Sequence, residues 1–253
     1  MAIRATVTAS THPGLERAQN QDMVGVGGWR SGGTLWRPWR QSVLVERPLL
    51  CIIADGMGGH SGGDTASASV VNYLSGEADK LQSTSDVALA VIEADRQLYA
   101  LMETDSRLRR MGTTVVGLTV SPERLIWFNV GDSRLYQYRD GFLRQVSVDD
   151  VPQDDRAPDG LRVSHVITQS LGGGDRPARL DVHIGVDEPV LAPSRWLLCS
   201  DGLTDMLSRA EMEAALQGDD LSAWVALFAG AMEAGAKDNV SIVLVTIEPA
   251  AGG

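Results

Sequence analysis

The sequence predicts an α+β fold, and three observations carry that prediction. Residues 117–147, GLTVSPERLIWFNVGDSRLYQYRDGFLRQVS, read as successive hairpins turning at SPER, GDS and RDG, the mark of an antiparallel sheet. Helical periodicity separates the early strand-like runs from this meander and returns near the end of the chain. The 253 residues are 43% hydrophobic, enough for a sizeable core in one domain.

Strands are expected at 3–9, 22–27, 49–54, 114–120, 124–131, 134–139, 142–146, 182–186, 195–199 and 240–247. Each is rich in Val, Ile, Leu or Thr and bounded by Gly, Pro or Asp. A helix over 64–80 places Ala66, Val70, Tyr73 and Leu74 on one face. A second over 86–104 aligns Ala88, Val91, Ile92, Leu98, Leu101 and Met102. SRAE at 208–211 is a capping box, Ser208 capping and Glu211 three residues on. Leu221, Trp224, Val225, Phe228 and Met232 mark a helix over 220–234. Residues 27–48 read as an elaborated loop, with three of the six tryptophans and four arginines. Its tryptophans are expected to pack as a satellite core, the alternative being an exposed binding patch. Residues 149–160 form an acidic loop with two prolines. Residues 1–249 are expected to form a single domain, with a shortened flap at 147–169 and a flexible tail at 250–253.

A net charge of −11 gives the long-range field the wrong sign for a nucleic-acid backbone or an anionic membrane. Cys51 and Cys199 lie in the apolar runs LLCIIA and WLLCSD and read as buried thiols in a reducing compartment. Neither is followed at the sixth position by arginine, so a cysteine-nucleophile phosphate loop is not supported. MAIRATVTAS lacks a long apolar core, and no run approaches the roughly 20 apolar residues of a membrane span. A cytoplasmic monomer without membrane insertion is expected.

Several aspartates sit at strand ends: Asp22 entering one strand, Asp55 ending CIIA, Asp132 in FNVGDSR, Asp201 ending WLLCS, and Asp238 before the last strand. Taken singly, Asp55, Asp201 and Asp238 are most simply turn residues. Together, at one rim of a sheet, such carboxylates repel unless a cation neutralises them. A cluster without His or Cys suits hard cations such as Mg²⁺ or Mn²⁺. Glycines 56, 58, 59, 62 and 63 leave room for backbone and water to reach them. Two ions about 3.5–4 Å apart activate a bridging water for in-line attack on a phosphate, and Asp55 is the natural shared ligand. Arg17, five residues before Asp22, reads either as a forked guanidinium able to hold phosphate oxygens or as a solvated surface arginine.

RAQNQD, ADGMGGHSGGDTAS, MGTTVVGLTV, FNVGDSRLYQYRDG, QSLGG, LLCSDGLTDML and KDNVSIVLV, in this order over 17–245, resemble the bacterial branch of the metal-dependent protein phosphatase 2C family. The resemblance implies a four-layer α-β-β-α sandwich, two central antiparallel sheets flanked by helices. It implies a protein serine/threonine phosphatase in which a hydroxide bridging two metals attacks phosphoserine or phosphothreonine directly. On this resemblance Asp55 bridges both ions, Gly56 gives its carbonyl, and Asp201 and Asp238 complete one shell. Asp132 serves a third, weaker ion shared with Asp201, Arg17 binds substrate phosphate, and Asp22 acts on the metals through water. The cofactors implied are Mn²⁺ or Mg²⁺. The partners implied are phosphorylated proteins, among them a cognate serine/threonine kinase or its substrates.

Three departures bear on these expectations. Gln21 stands where many relatives have glutamate, removing a charge near the metals. Met57 stands where eukaryotic relatives place a candidate acid histidine; His60 is a candidate general acid, the alternatives being a structural or exposed loop histidine and protonation of the leaving alkoxide by metal-bound water. DDV at 149–151 replaces a common Asp–His–Ser, and Asp149, Asp150, Asp154 and Asp155 are read either as a solvated loop or as a selector of basic residues beside the phosphosite. Two rival functions remain. A binding module of the same fold without turnover usually lacks one of the carboxylates, and all are present here. An aspartyl-nucleophile phosphohydrolase usually has a second aspartate two residues on, where this chain has Met57.

Overall fold

The computed structural model describes residues 2–57, 62–152, 166–187 and 193–250. In chain order the strands and helices are β1 (Ile3–His12), β2 (Asp22–Val26), β3 (Trp29–Ser31), β4 (Trp39–Leu44) and β5 (Leu49–Met57), then α1 (Gly63–Gly76) and α2 (Thr84–Thr104). Next come β6 (Gly112–Thr113), β7 (Val115–Val120), β8 (Leu125–Val130), β9 (Arg134–Arg139), β10 (Phe142–Gln145), β11 (Leu171–Gly172), β12 (His183–Asp187) and β13 (Ser194–Cys199). The chain closes with α3 (Asp201–Thr204), α4 (Arg209–Ala215), α5 (Asp220–Glu233) and β14 (Val240–Pro249).

Two antiparallel sheets result. One runs β10-β9-β13-β14-β1-β4; the other runs β11-β6-β5-β7-β8-β12, with β2 pairing β5 and β3 pairing β2. The period-2 side-chain alternation explains why β5 and β14 read as unbroken apolar runs. In β5, Cys51 and Ile53 enter the core between the sheets, while Leu50, Ile52 and Ala54 face α1 and α2. In β14, Val243, Val245 and Ile247 enter the inter-sheet core, while Val240, Ile242 and Leu244 face α4 and α5. Three apolar layers therefore separate four layers of secondary structure, the expected α-β-β-α sandwich. Both cysteines are free and buried. Among the described residues no helix is long and apolar enough to cross a membrane.

The structure corrects the sequence reading in three places. Residues 27–48 are not simply a loop: they hold β3 and β4, and β4 extends the first sheet beside β1 from Arg4↔Leu44 to Ala9↔Trp39. Trp29 and Trp39 stack at 4.7 Å against the inter-sheet core, whereas Trp36 is 62% exposed and meets His12 edge-on. The buried face of α5 is rotated from the expected one: Ala223, Trp224, Leu227, Phe228 and Ala231 are buried, Leu221 and Val225 exposed. Asp220 causes the rotation by turning inward to Thr246 Oγ1 (2.7 Å) and Arg195 (3.0 Å). In α2 the buried residues are Val87, Ala90, Val91, Ala94 and Leu98, with Leu101 outside, because Asp95 also turns inward to accept the Gly172 N–H at 2.7 Å. The SRAE capping box is present at the start of α4. Most of the flap, residues 153–165, lies outside the described residues, as do 251–253 of the tail.

Candidate active site

The sheet rim collects side chains from five separate segments. Antiparallel pairing of β2 with β5 sets Asp22 directly across from Asp55. Asp55 is held by its backbone: its N–H donates to Thr114 Oγ1 (3.2 Å), and its carbonyl accepts from Thr113 Oγ1 (2.8 Å) and Thr114 N–H (2.9 Å). Thr114 Oγ1 also meets Ser133 Oγ at 2.8 Å, tying β5 to the β8–β9 turn that carries Asp132. Gly56 must be glycine, since a Cβ there would lie 2.1 Å from Gly63 O and 2.6 Å from Gln21 O. Its N–H donates to Gln21 O at 3.1 Å, which fastens the end of β5 to the segment entering β2.

Asp201 opens α3 immediately after β13, and a Cβ on Gly202 would lie 2.0 Å from Asn239 O, so α3 presses against the start of β14. Asn239 organises the loop before β2. Its Oδ1 accepts from Gln21 N–H (2.8 Å), and its Nδ2 donates to Pro13 O and Gln19 O, both at 3.0 Å. That loop brings Arg17 to Asp238, Nη2 to Oδ2 at 2.6 Å. Asp22 is buried, and its Oδ2 accepts from Ser200 Oγ (2.8 Å) and Ser241 Oγ (2.6 Å). Its Oδ1 is buried with no hydrogen-bond partner among the described residues.

The electrostatics show that these carboxylates share one region. The Asp55 pKa stands well above the ordinary carboxylate value, first because of burial and then through the charges of Asp22, Asp201, Asp132 and Asp238. The Asp22 pKa is raised to about 7, mainly by burial, against the lowering effect of its two serine donors. Arg17 feels the same field: Asp238 raises its pKa most, and Asp201 and Asp55 add to it. Among the described residues, however, no three His, Cys, Asp or Glu side chains close around a single point. Part of the reason is that Asp238 is turned to the guanidinium. Arg17, expected to hold phosphate or to be a solvated surface arginine, is thus engaged with an expected metal ligand.

The donor set still fits hard divalent cations: carboxylates and backbone carbonyls, mutually destabilised and without thiolate or imidazole, beside a buried carboxylate oxygen that lacks a donor. His60 lies outside the described residues, as do Asp154 and Asp155. Asp149 and Asp150 turn inward rather than toward solvent. Asp149 pairs with Arg134 at 2.8 Å. Asp150 accepts from Gly131 N–H (2.7 Å) and Gln169 Nε2 (3.0 Å) and meets His183 Nε2 at 2.8 Å. Sequence reasoning assigned no role to Thr113, Thr114, Ser133, Ser200, Asn239 or Ser241, and read Asp150 only as a solvated or substrate-selecting carboxylate. All except Asp150 lie inside the quoted motifs, which is the signal that could have found them.

Residues 39–246 match the family model for protein phosphatase 2C. The chain belongs to the protein phosphatase 2C family. This 2C phosphatase chain is 30% identical over 218 residues to the serine/threonine phosphatase stp of Listeria innocua, covering 79% of this chain and 85% of that protein. It is also 30% identical to the serine/threonine protein phosphatase PstP of Mycobacterium tuberculosis, over 94% of this chain and 44% of that longer protein. The solved catalytic domain of PstP in complex with two manganese ions superposes with a TM-score of 0.78 at 28% identity, covering 98% of this chain and all of that one.

Proposed function

We propose that this 2C-family chain is a metal-dependent serine/threonine phosphatase that hydrolyses phosphoserine and phosphothreonine in proteins at the acidic rim. The observation that carries the reading is the convergence of charge on Asp55. Four other carboxylates from distant segments raise its pKa, and Arg17 stands beside them. Asp55, the carbonyl of Gly56, Asp201 and Asp238 are the groups to hold two ions, Mn²⁺ or Mg²⁺, with Asp132 and Asp201 available to a third. When bound, the ions supply a hydroxide at neutral pH and the positive charge that draws in a phosphate. The stp and PstP relatives carry serine/threonine phosphatase names, which agrees with this reading.

The chain's own residues do the rest. Thr113 and Thr114 fix the Asp55 backbone, which anchors the Cα from which its carboxylate projects toward its neighbours. Asp22 sits behind it on two serine hydroxyls with one oxygen undonated; cations bound nearby would favour its ionised form, suited to accept from water. Arg17 binds the phosphate oxygens, for which it exchanges its exposed pairing with Asp238. That exchange is inexpensive because an exposed ion pair contributes at most about 1 kcal/mol. Residues 1–249 act as one unit in this reading, since β14 returns to pair with β1 from His12↔Val240 to Ile3↔Pro249.

The test is hydrolysis of an aryl phosphate and a phosphothreonine peptide with Mn²⁺, with Mg²⁺ and with chelator, for the wild type and Asp55→Ala. Turnover is expected only with metal and only in the wild type. Metal-independent turnover, or full activity in Asp55→Ala, refutes the proposal.

A further inference from the structure

A second feature lies two strands away from Asp55 in the same sheet. The pairing β5–β6–β11 aligns Gly56 with Thr113 and Thr113 with Leu171. Two strand spacings put Leu171 roughly 10 Å from the strand end that carries Asp55. Just past β11, and at the C-terminal end of α2, the surface opens into a cleft of about 320 Å³ whose lining includes Tyr99, Glu103, Arg109, Arg110, Asp175 and Arg176. The chain is held tightly around it. Gly173 N–H donates to Met111 O at 2.8 Å, and Tyr99 OH donates to Gly172 O at 3.2 Å.

The charge inside this cleft departs from that of the molecule. The chain carries −11 overall, yet RLRR at 107–110 and DRPAR at 175–179 bring two short arginine-rich segments against each other. Arg107 is engaged by Asp105 at 2.6 Å, and Arg109 pairs loosely with Asp175 at 3.6 Å. Arg110 and Arg176 are exposed, and neither has an acidic partner among the described residues. Glu103 is the remaining carboxylate on the lining, so the cleft keeps a net positive excess. At physiological salt the Debye length is about 8 Å, so an anion entering the cleft responds to these guanidinium groups more than to the distant negative surface.

We propose that this cleft is a substrate-docking site for carboxylate-bearing residues of the phosphoprotein. The inference rests on the phosphatase reading and adds to it a substrate class. An extended peptide advances about 3.3 Å per residue, so roughly 10 Å and a few ångströms more correspond to about three to five residues from the phosphorylated one. Acidic residues at that distance engage Arg110 and Arg176; those one or two positions away fall short. The inward pairing of Asp149 and Asp150 agrees with this, because it removes two of the carboxylates that would have favoured basic substrates. Each exposed ion pair typically changes affinity by about two- to threefold, so two give about three- to tenfold.

The experiment uses the full chain with Mn²⁺. Singly phosphorylated phosphothreonine peptides carry two Glu, two Ala or two Lys, placed either one to two or three to five residues from the phosphothreonine, with p-nitrophenyl phosphate as the reference. The wild type is expected to show a KM about three- to tenfold lower for distal Glu than for distal Ala, with similar kcat, and to lose that preference in ~0.5 M salt. The double variant Arg110→Glu, Arg176→Glu should abolish or reverse the preference and leave p-nitrophenyl phosphate turnover unchanged. No distance-dependent preference in the wild type, or its persistence in the double variant, overturns the docking site while the phosphatase reading stands. Absence of metal-dependent turnover on p-nitrophenyl phosphate overturns the phosphatase reading, and this inference with it.

Discussion

Asp149→Ala separates the two roles open to the acidic loop. In the structure Asp149 Oδ2 accepts from Arg134 Nε at 3.0 Å and Nη2 at 2.8 Å, and Oδ1 accepts from Gln145 Nε2 at 2.6 Å. The two charged side chains are only 10% and 3% exposed. Burial alone would lower the Arg134 pKa, yet Tyr136 and Asp149 together raise it, so the guanidinium stays charged. Removing the carboxylate leaves that charge buried with the Tyr136 hydroxyl at 3.3 Å and no carboxylate partner in its place. Breaking a buried pair in this way costs about 3–5 kcal/mol. For a chain of this size that corresponds to a fall in Tm of roughly 6–20 °C. Thermal unfolding measured by circular dichroism reads the loss. Asp149→Asn, which keeps an acceptor oxygen, should lose less, and Arg134→Leu combined with Asp149→Ala should recover part of the stability because no charge is then stranded. A wild-type Tm in Asp149→Ala, together with a raised KM for basic phosphopeptides, would show a carboxylate facing substrate and would refute the argument.

Two further outcomes follow from the same geometry. Trp39→Ala should cost about 1–3 kcal/mol, because it removes a stacked partner of Trp29 from the edge of the inter-sheet core, whereas Trp36→Ala should change stability by no more than about 1 kcal/mol; equal losses in chemical denaturation would contradict the assignment. With chelator present, stability should fall as pH rises from about 5 to 7.5. Asp22 has a folded pKa of about 7, above its unfolded value, so across that window the folded state binds more protons than the unfolded one, and Asp22→Asn should flatten the decline.

Much of the architecture was legible in the chain because local rules report local structure. Apolar runs interrupted by Gly, Pro and Asp mark the ten expected strands, and the capping box at Ser208 marks a helix start without reference to anything distant. The strand-end positions of Asp22, Asp55, Asp132, Asp201 and Asp238 were equally visible, since each lies within two residues of a hydrophobic segment. Their mutual proximity was expected but is not a property of any one segment; the pairing of β2 with β5, of β13 with β14 and β9, and the packing of one sheet on the other bring them to one rim. The supporting hydroxyls were hidden for a related reason. Thr113, Ser200 and Ser241 look like ordinary strand or turn residues until the sheets close and set their oxygens against Asp55 and Asp22. The same closure put Asp149, read as a solvated or substrate-selecting charge, and Asp220 into inward-facing ion pairs and carried β4 into a sheet. Sequence alone determined which segments extend, coil and turn, and where carboxylates stand along them. The tertiary structure decided which charges face one another and which are buried. Electrostatic energy depends on distance in space and on exclusion of water, and neither is a property of position along a chain.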